Sequence, residues 1–363
     1  MYAIIEPTKL KYRRKIMKKA GKIIAIVIAA ILLLVLLAVS VFSIFDRVKY
    51  REFYKHSDKA FAIGGLWAGA VQQGFDYSEE LGLYVYSTYM KDHTASRIYI
   101  TDNEGNTRFV ELKNTDGSDH TGHVGGLSFG GDYIYVTASS KNQIIMFKVS
   151  DVLDGDGKAT ACGEFDVCVS SAYVYVRGNT LYTGEFYIAE DYETPKDHRH
   201  TTPAGDENTA IMAVYTLSED GKPASADPDY VISTRGQVQG MAFDSKGRLI
   251  LSTSWGLNPS GIYVYDLDRA TNGTAVVDGK ETPIKYVDSA CLDATITAPP
   301  MAEELVYRDG KLLVMNESAS MKYIFGKLTS GNHVLAYDYD TQMAIFDAQR
   351  GDNSTQTPAQ PNK

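Results

Sequence analysis

Three glutamates in the repeated segments of this sequence could do acid–base chemistry. Glu303 begins one segment, whereas Glu185 and Glu317 each lie at the end of a second strand. Two carboxylates about 5–9 Å apart act as acid and base in glycoside hydrolysis, and glutamate oxygens also suit Ca²⁺ as ligands. These catalytic candidates allow an extracytoplasmic hydrolase of glycans or phosphoesters, with calcium as a cofactor. No signature sequence of such an enzyme is present, so catalysis stays the alternative to plain binding.

The residues that begin the repeated segments could together bind a polar ligand. They are Gln73, Gly125, Ala172, Gln239 and Glu303. If the first strand of every segment lines one central channel, their side chains converge there, and His123 and Glu304 flank them in sequence. The predicted ligand-binding residues are therefore Gln73, His123, Gln239, Glu303 and Glu304. A ring that only hydrogen-bonds ordered water is the alternative interpretation.

The pair His120 and His123 could hold a metal ion. The two histidines are three residues apart and directly precede a channel strand, which makes them the metal candidates. A metal site needs at least a third protein ligand, for which Asp119 is adjacent. A solvated loop is the alternative interpretation of this pair.

A second histidine pair, His198 and His200, lies in the long stretch from residue 188 to residue 208. Asp197 is the nearest additional ligand. Because surface loops carry such pairs by chance, the sequence favours a solvated loop over a metal site here. Loops of this length without regular structure are usually functional or disordered.

Five segments of the sequence share one pattern, in which an apolar strand, a glycine-containing turn and a second apolar strand follow one another. They occupy residues 73–89, 125–139, 172–186, 239–254 and 303–318. Their first residues are separated by 52, 47, 67 and 64 positions. A third apolar strand follows each hairpin, and a weaker fourth one is predicted at 108–112, 229–234 and 283–288.

Four strands in each repeat predict the blade of an all-β propeller. Five blades are favoured, and a sixth would have to be contained in the two longest repeats. A pair of β-sandwiches or a β-helix are the rival folds. No stretch after the N-terminal region keeps the periodicity of an amphipathic helix over three turns.

An uncharged apolar stretch of 23 residues, 23–45, precedes the repeats. As a helix it reaches about 34 Å, enough to cross a bilayer core of about 30 Å. Eight basic residues and one acidic residue come before it, and this asymmetry predicts a cytoplasmic N-terminus and an extracytoplasmic C-terminal domain. The alternative is a cleaved signal peptide, whose apolar region is shorter, about 7–15 residues.

Charge excludes nucleic acid as a partner of the outer domain. The whole chain carries −9, and residues 1–45 carry +7, so the remainder carries −9 − 7 = −16. Phosphate backbones repel such a surface. The predicted organisation is a basic tail at 1–22, a transmembrane helix at 23–45, a linker at 46–60, a propeller at 61–348 and a disordered tail at 349–363. For Cys162 and Cys168, a disulfide and two free thiols stay equally open.

The residues Tyr133 to Thr137, Tyr-Ile-Tyr-Val-Thr, resemble the core of the YVTN-type repeats of bacterial surface propellers. The general design also resembles the propeller superfamily that includes the quinoprotein amine dehydrogenase β chain. This resemblance implies a fold and a surface location, but no particular activity. The sequence thus favours a membrane-anchored binding module, whose partner is the lipid bilayer through its helix and an envelope protein, a glycan or a small molecule at the channel mouth. Aromatic residues suit stacking on a carbohydrate, namely Trp67, Trp255, Tyr89, Tyr187 and Tyr192.

Overall fold

The computed structural model describes residues 7–138, 141–323 and 325–355. The chain divides into two compact units, Met1–Lys49 and Tyr50–Lys363. The first unit contains the helix Pro7–Lys49. Its part Lys15–Lys49 includes the predicted span at 23–45, and it is the one helix among the described residues that is long and apolar enough to cross a membrane. This supports a membrane anchor, while its orientation stays a prediction.

The second unit is a five-bladed β-propeller, as the sequence predicts. Blade 1 contains Ala70–Ser78, Leu83–Met90, Arg97–Asp102 and Thr107–Lys113. Blade 2 contains Val124–Gly130, Tyr133–Ala138, Gln143–Lys148 and Gly163–Asp166. Blade 3 contains Ser171–Arg177, Thr180–Glu185, Ala210–Thr216 and Tyr230–Thr234. Blade 4 contains Val238–Phe243, Leu249–Thr253, Ser260–Tyr265 and Leu292–Ala298. Blade 5 contains Ala302–Arg308, Lys311–Asn316, His333–Tyr337 and Ser57–Ala62.

The first strand of each blade contacts the first strands of both neighbouring blades, so these five strands form a closed ring. The apolar core lies between the faces of adjacent blades. Ile98 of blade 1, for example, belongs to the same buried cluster as Ile134 and Phe147 of blade 2. A single repeat cannot bury its two faces alone, and the ring supplies the missing partner on each side.

The ring is closed by a strand that the sequence analysis placed in the linker at 46–60. Ser57–Ala62 pairs antiparallel with His333–Tyr337, with Ser57 opposite Tyr337 and Ala62 opposite His333. The last repeat thus takes its outer strand from the beginning of the domain. The short helix Arg51–Lys55 precedes this strand and buries Phe53.

Two insertions add strands in parallel to neighbouring blades. Lys158–Thr160 pairs with Thr107–Lys113 of blade 1. The hairpin Thr271–Val277 and Lys280–Tyr286 joins blade 3, where Ile284 lies opposite Val231. The prediction that 283–288 is the fourth strand of its own blade is therefore wrong, because Ile284 and Val277 are buried in the apolar cluster of blade 3.

The remaining described elements are short, except for one C-terminal helix. They are Val149–Asp154, Lys196–His198, Glu317–Ala319, Phe325–Leu328, the two-residue strands His200–Thr201 and Glu207–Asn208, and the helix Tyr339–Thr355. The last helix was not predicted, and it extends through 349–355 of the tail for which disorder was predicted. Residues 356–363 lie outside the described residues. Cys162, Cys168 and Cys291 are free thiols.

A buried ion-pair network joins blade 4 to the C-terminal helix. The Arg248 guanidinium lies 2.6 Å from Asp244, 3.3 Å from Asp347 and 3.7 Å from Asp293. We expect Arg248→Met to lower the free energy of unfolding by about 3–5 kcal/mol, because it leaves the buried Asp244 carboxylate without its cationic partner. Urea unfolding at pH 7 measures this effect. Arg51→Met breaks an exposed pair with Glu52 and should change stability by less than the error, and equal effects of the two substitutions would contradict the prediction.

Candidate functional site

A β-bulge occurs at the same place in the first strand of all five blades. The pairing between the first and second strands shifts register at the residues that begin the repeats. A bulge inserts an extra residue and changes the direction in which its side chain points. Five equivalent bulges therefore place one residue from each blade at the same end of the channel.

Glycine next to these bulges lets neighbouring first strands approach closely. A Cβ added to Gly74 would lie 2.1 Å from the Leu127 nitrogen of the next blade, and one added to Gly126 would lie 2.5 Å from the Tyr173 Cα. No larger residue fits without moving the backbone. These glycines explain why the Gln-Gly and Gly-Gly pairs recur at the start of the repeats.

One cavity of about 190 Å³ lies where the five bulges meet. Its lining residues are Gln73, Tyr89, His123, Gly125, Ser170, Ala172, Phe186, Tyr192, Gln239, Trp255, Glu303, Glu317, Lys322 and Tyr323. We call this cavity the axial pocket. All five repeat-leading residues line it, so their predicted convergence is confirmed. Their role in binding stays a prediction.

A hydrogen-bonded chain of side chains forms the polar part of the axial pocket. The Gln73 amide nitrogen donates to Glu317 Oε2 at 3.1 Å. Because the Gln73 oxygen can only accept, His123 Nε2 carries a proton and donates to it at 2.9 Å. Burial, and to a smaller extent Lys322, lowers the pKa of His123 to about 4. His123 is therefore a neutral donor at physiological pH.

Two carboxyl groups in the axial pocket are buried close to each other. Glu303 is 2% exposed, and its Oε1 has no hydrogen-bond partner among the described residues. Burial, together with the charges of Glu317 and Glu304, raises the pKa of Glu303 well above its ordinary value. Burial also raises the pKa of Glu317 to about 7, against the lowering effects of Lys322, Gln73 and Tyr323. Desolvation of both groups, and the charge of Glu317 acting on Glu303, favour the protonated forms of this pair.

Lys322 supplies the positive charge of the axial pocket. Its ammonium group donates to the Tyr89 hydroxyl at 2.7 Å and lies 5.0 Å from the centre of the Tyr323 ring. The sequence analysis missed Lys322 and Tyr323, because they belong to the irregular stretch between the second and third strands of blade 5. The one sequence signal for this stretch is its position directly after the repeated segment that contains Glu317.

Three aromatic rings form one wall of the axial pocket. Phe186, Tyr192 and Trp255 lie with ring centres 5.5 to 6.0 Å apart. Tyr192 is 55% exposed and Trp255 37% exposed, so their faces are open to a ligand. Of the other predicted aromatic residues, Tyr89 also lines the pocket. Trp67 and Tyr187 do not, and Trp67 lies instead beside Lys327.

Glu304 and Glu185, two of the predicted site residues, are not among the residues lining the axial pocket. Glu304 Oε1 accepts the Met241 N–H at 2.6 Å on the side toward blade 4. Both residues lie in the bulge between Ala302 and Leu305, which directs Glu303 but not Glu304 into the pocket. Glu185 is fully buried and accepts hydrogen bonds from His198 at 2.8 Å and from the Ile211 N–H at 3.1 Å. Glu185 therefore lies outside the pocket that Glu303 and Glu317 line, and the catalytic role of all three glutamates stays a prediction.

His123 lies at the channel, as predicted, while the metal-binding role of His120 and His123 stays a prediction. His120 Nδ1 is hydrogen-bonded to the Asn114 side chain at 2.8 Å, while His123 lies in the axial pocket. In the part of the chain that the structure describes, neither belongs to a group of three or more side chains that could share a metal ion. Such a group contains His198, which is 1% exposed rather than solvated. The calcium cofactor stays a prediction.

Comparison with known proteins gives a similarity of fold and nothing closer. No family model matches the chain, and no curated protein matches it. An aldose sugar dehydrogenase from Streptomyces coelicolor, in its PQQ-bound form, is 16% identical over 71% of this chain and 76% of its own, with a TM-score of 0.38. A putative glucose dehydrogenase from Thermus thermophilus is 13% identical over 77% of this chain and 98% of its own, with a TM-score of 0.41. Myxococcus xanthus glutaminyl cyclase is 9% identical over 72% and 91%, with a TM-score of 0.36. Similarities at this level carry no conclusion about activity.

Proposed function

We propose that this protein is a membrane-anchored, extracytoplasmic binding module whose axial pocket takes a saccharide. One observation carries the proposal: the open aromatic wall of Phe186, Tyr192 and Trp255 and the polar chain through Gln73 line the same pocket. A sugar ring presents C–H groups on its faces and hydroxyls around its edge. The C–H groups stack on aromatic rings, and the hydroxyls need hydrogen-bond donors and acceptors in fixed positions.

The polar groups of the axial pocket suit hydroxyl recognition. Gln239 offers a donor and an acceptor, and Glu303 offers both when it is protonated. The Gln73 nitrogen already donates to Gln72 and Glu317, so Gln73 and Glu317 offer acceptors. Glu303 Oε1, buried without a hydrogen-bond partner among the described residues, gains one from a ligand hydroxyl. The volume of about 190 Å³ is below the roughly 300–1,000 Å³ of pockets for drug-sized ligands. This favours a single sugar ring, or the end of a glycan chain.

Trp255→Ala is expected to weaken saccharide binding about tenfold, which corresponds to about 1.4 kcal/mol. The substitution removes the stacking surface but leaves the hydrogen-bonding groups in place. A panel of neutral mono- and disaccharides is first screened by quenching of tryptophan fluorescence, and affinities are then measured by titration calorimetry. Trp67→Ala is the matched control, because Trp67 is 80% exposed and lies outside the axial pocket.

Two results would count against saccharide binding. One is that no saccharide of the panel binds to the wild type. The other is that Trp255→Ala and Trp67→Ala weaken binding equally, since the ligand would then not stack in the axial pocket.

A glycan hydrolase is the second candidate function, favoured by the raised pKa values of the two neighbouring carboxyl groups. Protonated Glu303 would give its proton to a glycosidic oxygen, and ionised Glu317 would activate water or attack the sugar. Assay of released reducing sugar distinguishes the two functions. Release that Glu317→Gln abolishes supports hydrolysis, whereas binding without release supports the binding module.

A further inference from the structure

A group of three potential metal ligands lies outside the axial pocket, where two insertions of the propeller meet. Asp197 and His198 belong to the short helix Lys196–His198 in the long loop of blade 3. Asp278 is in the turn of the hairpin formed by Thr271–Val277 and Lys280–Tyr286. One ligand atom from each of the three side chains lies within 4.8 Å of the other two.

His198 is held in the orientation that a metal ligand requires. Its Nδ1 is 2.8 Å from Glu185 Oε1, and a carboxylate there fixes the Nδ1–H tautomer. In the neutral imidazole the lone pair of Nε2 is then free. This atom is buried, has no hydrogen-bond partner among the described residues, and lies 3.8 Å from Asp278 Oδ1. A buried polar atom without a partner destabilises the folded protein, and a bound cation would remove this cost.

The two aspartates leave carboxylate oxygens free for a cation. Asp197 Oδ2 accepts the Asp278 N–H at 3.1 Å, so the two insertions already touch at this point. Both aspartates are exposed, and small rotations can bring their oxygens to about 2.0–2.2 Å from an ion held by His198. The Asp278 backbone has φ of 49°, a left-handed conformation that aspartate and asparagine adopt more readily than most residues.

We propose that Asp197, His198 and Asp278 bind one Zn²⁺ ion that fastens the long loop of blade 3 to the inserted hairpin. Zn²⁺ accepts both imidazole nitrogen and carboxylate oxygen as ligands, and with three protein ligands water takes the fourth position. Calcium prefers six to eight oxygen ligands and no imidazole. Glu185 is a positioning residue, because it acts on the ion only through His198. None of its three ligands lines the axial pocket, so the site is separate from the proposed saccharide site, although Tyr192 of the same loop lines that pocket.

The full-length protein in detergent tests this proposal after treatment with a chelator and removal of the chelator. We expect the wild type to bind one equivalent of Zn²⁺, and its melting temperature to rise by about 5 °C when free Zn²⁺ is 100-fold above the dissociation constant. Co²⁺, added in place of Zn²⁺, should give visible absorption bands. Ca²⁺ should give no comparable rise.

Asp197→Asn and Asp278→Asn are the test variants, because asparagine keeps the shape of the side chain, and both positions are exposed. Each should weaken Zn²⁺ binding at least tenfold and remove the rise in melting temperature. Asp227→Asn is the control, since Asp227 pairs with Lys280 of the same hairpin but is not a ligand. The proposal is overturned if the wild type binds no Zn²⁺, if both test variants bind it like the control, or if Ca²⁺ stabilises the protein equally.

Discussion

A chain that begins at Ile63 is expected to be unfolded, whereas a chain that begins at Tyr50 is expected to fold. The difference between them is the helix Arg51–Lys55 and the strand Ser57–Ala62, which completes blade 5. Without this strand the last blade exposes the edge of His333–Tyr337. The truncation also removes Phe53, which is 2% exposed and stacks on Tyr337 with ring centres 5.1 Å apart.

The strand also supplies Phe61, which is buried against Tyr84 of blade 1 at a ring distance of 4.8 Å. Burying two phenylalanine side chains contributes about 1.5–3 kcal/mol each, and each strand hydrogen bond contributes about 1 kcal/mol. The sum is comparable to the about 5–15 kcal/mol that holds a domain folded. Far-ultraviolet circular dichroism and thermal melting compare the two chains. A cooperative transition of the shorter chain near that of the longer one would show that the outer strand is dispensable.

Glu303→Gln is expected to raise stability at pH 8 and to weaken ligand binding at the same time. Burial in the axial pocket raises the pKa values of Glu303 and Glu317 above those of the unfolded chain. The folded protein therefore binds more protons than the unfolded chain between pH 4.5 and about pH 7. Stability is fully present below pH 4.5 and falls as the pH rises through the folded-state pKa values.

The size of this pH dependence follows from Glu317. The rise of its pKa from 4.5 to about 7 corresponds to about 3 kcal/mol at 1.36 kcal/mol per pKa unit. Glutamine at position 303 is neutral at every pH, so the variant loses the part of the pH-dependent stability that comes from titration of Glu303. It also removes the charge of Glu303 that faces Glu317. Urea unfolding at pH 5 and pH 8 should show a smaller decrease for Glu303→Gln than for the wild type.

Glu104→Gln provides the control for this experiment, since Glu104 lies in an exposed turn of blade 1. It should show the same decrease between pH 5 and pH 8 as the wild type. Saccharide affinity, measured on the same samples, separates function from folding. A variant that is less stable than the wild type at both pH values would make Glu303 a structural residue.

The blade architecture could be predicted because each hairpin is encoded locally. The segments at 125–139 and 239–254 alternate apolar and small residues around a glycine turn, and this pattern depends only on neighbours in sequence. The convergence of Gln73, Gln239 and Glu303 followed from the repeat, because equivalent positions of radially arranged blades face one axis. The membrane span at 23–45 could also be predicted from local sequence, because its length and lack of charge indicate it.

The remaining features depend on contacts between distant residues. The sequence of Ser57–Ala62 does not distinguish this strand from a linker, and its pairing partner His333–Tyr337 is at the other end of the domain. The inserted hairpin pairs with blade 3 because its buried side chains pack in the apolar cluster of that blade. No local sequence pattern shows this packing.

The sequence predicted the membrane-type helix, favoured five blades and identified the five repeat-leading residues at the channel, but not Lys322 or Tyr323. That Glu303 faces the axial pocket while Glu304 faces blade 4 depends on tertiary contacts, since a bulge sets the direction of each. Tertiary contacts also bring the Lys322 ammonium group to the Tyr89 hydroxyl, and His198 to Asp278, which lies in a separate insertion far along the chain. Such pairs form because ring closure brings separate loops together, and their side-chain types alone could not reveal them.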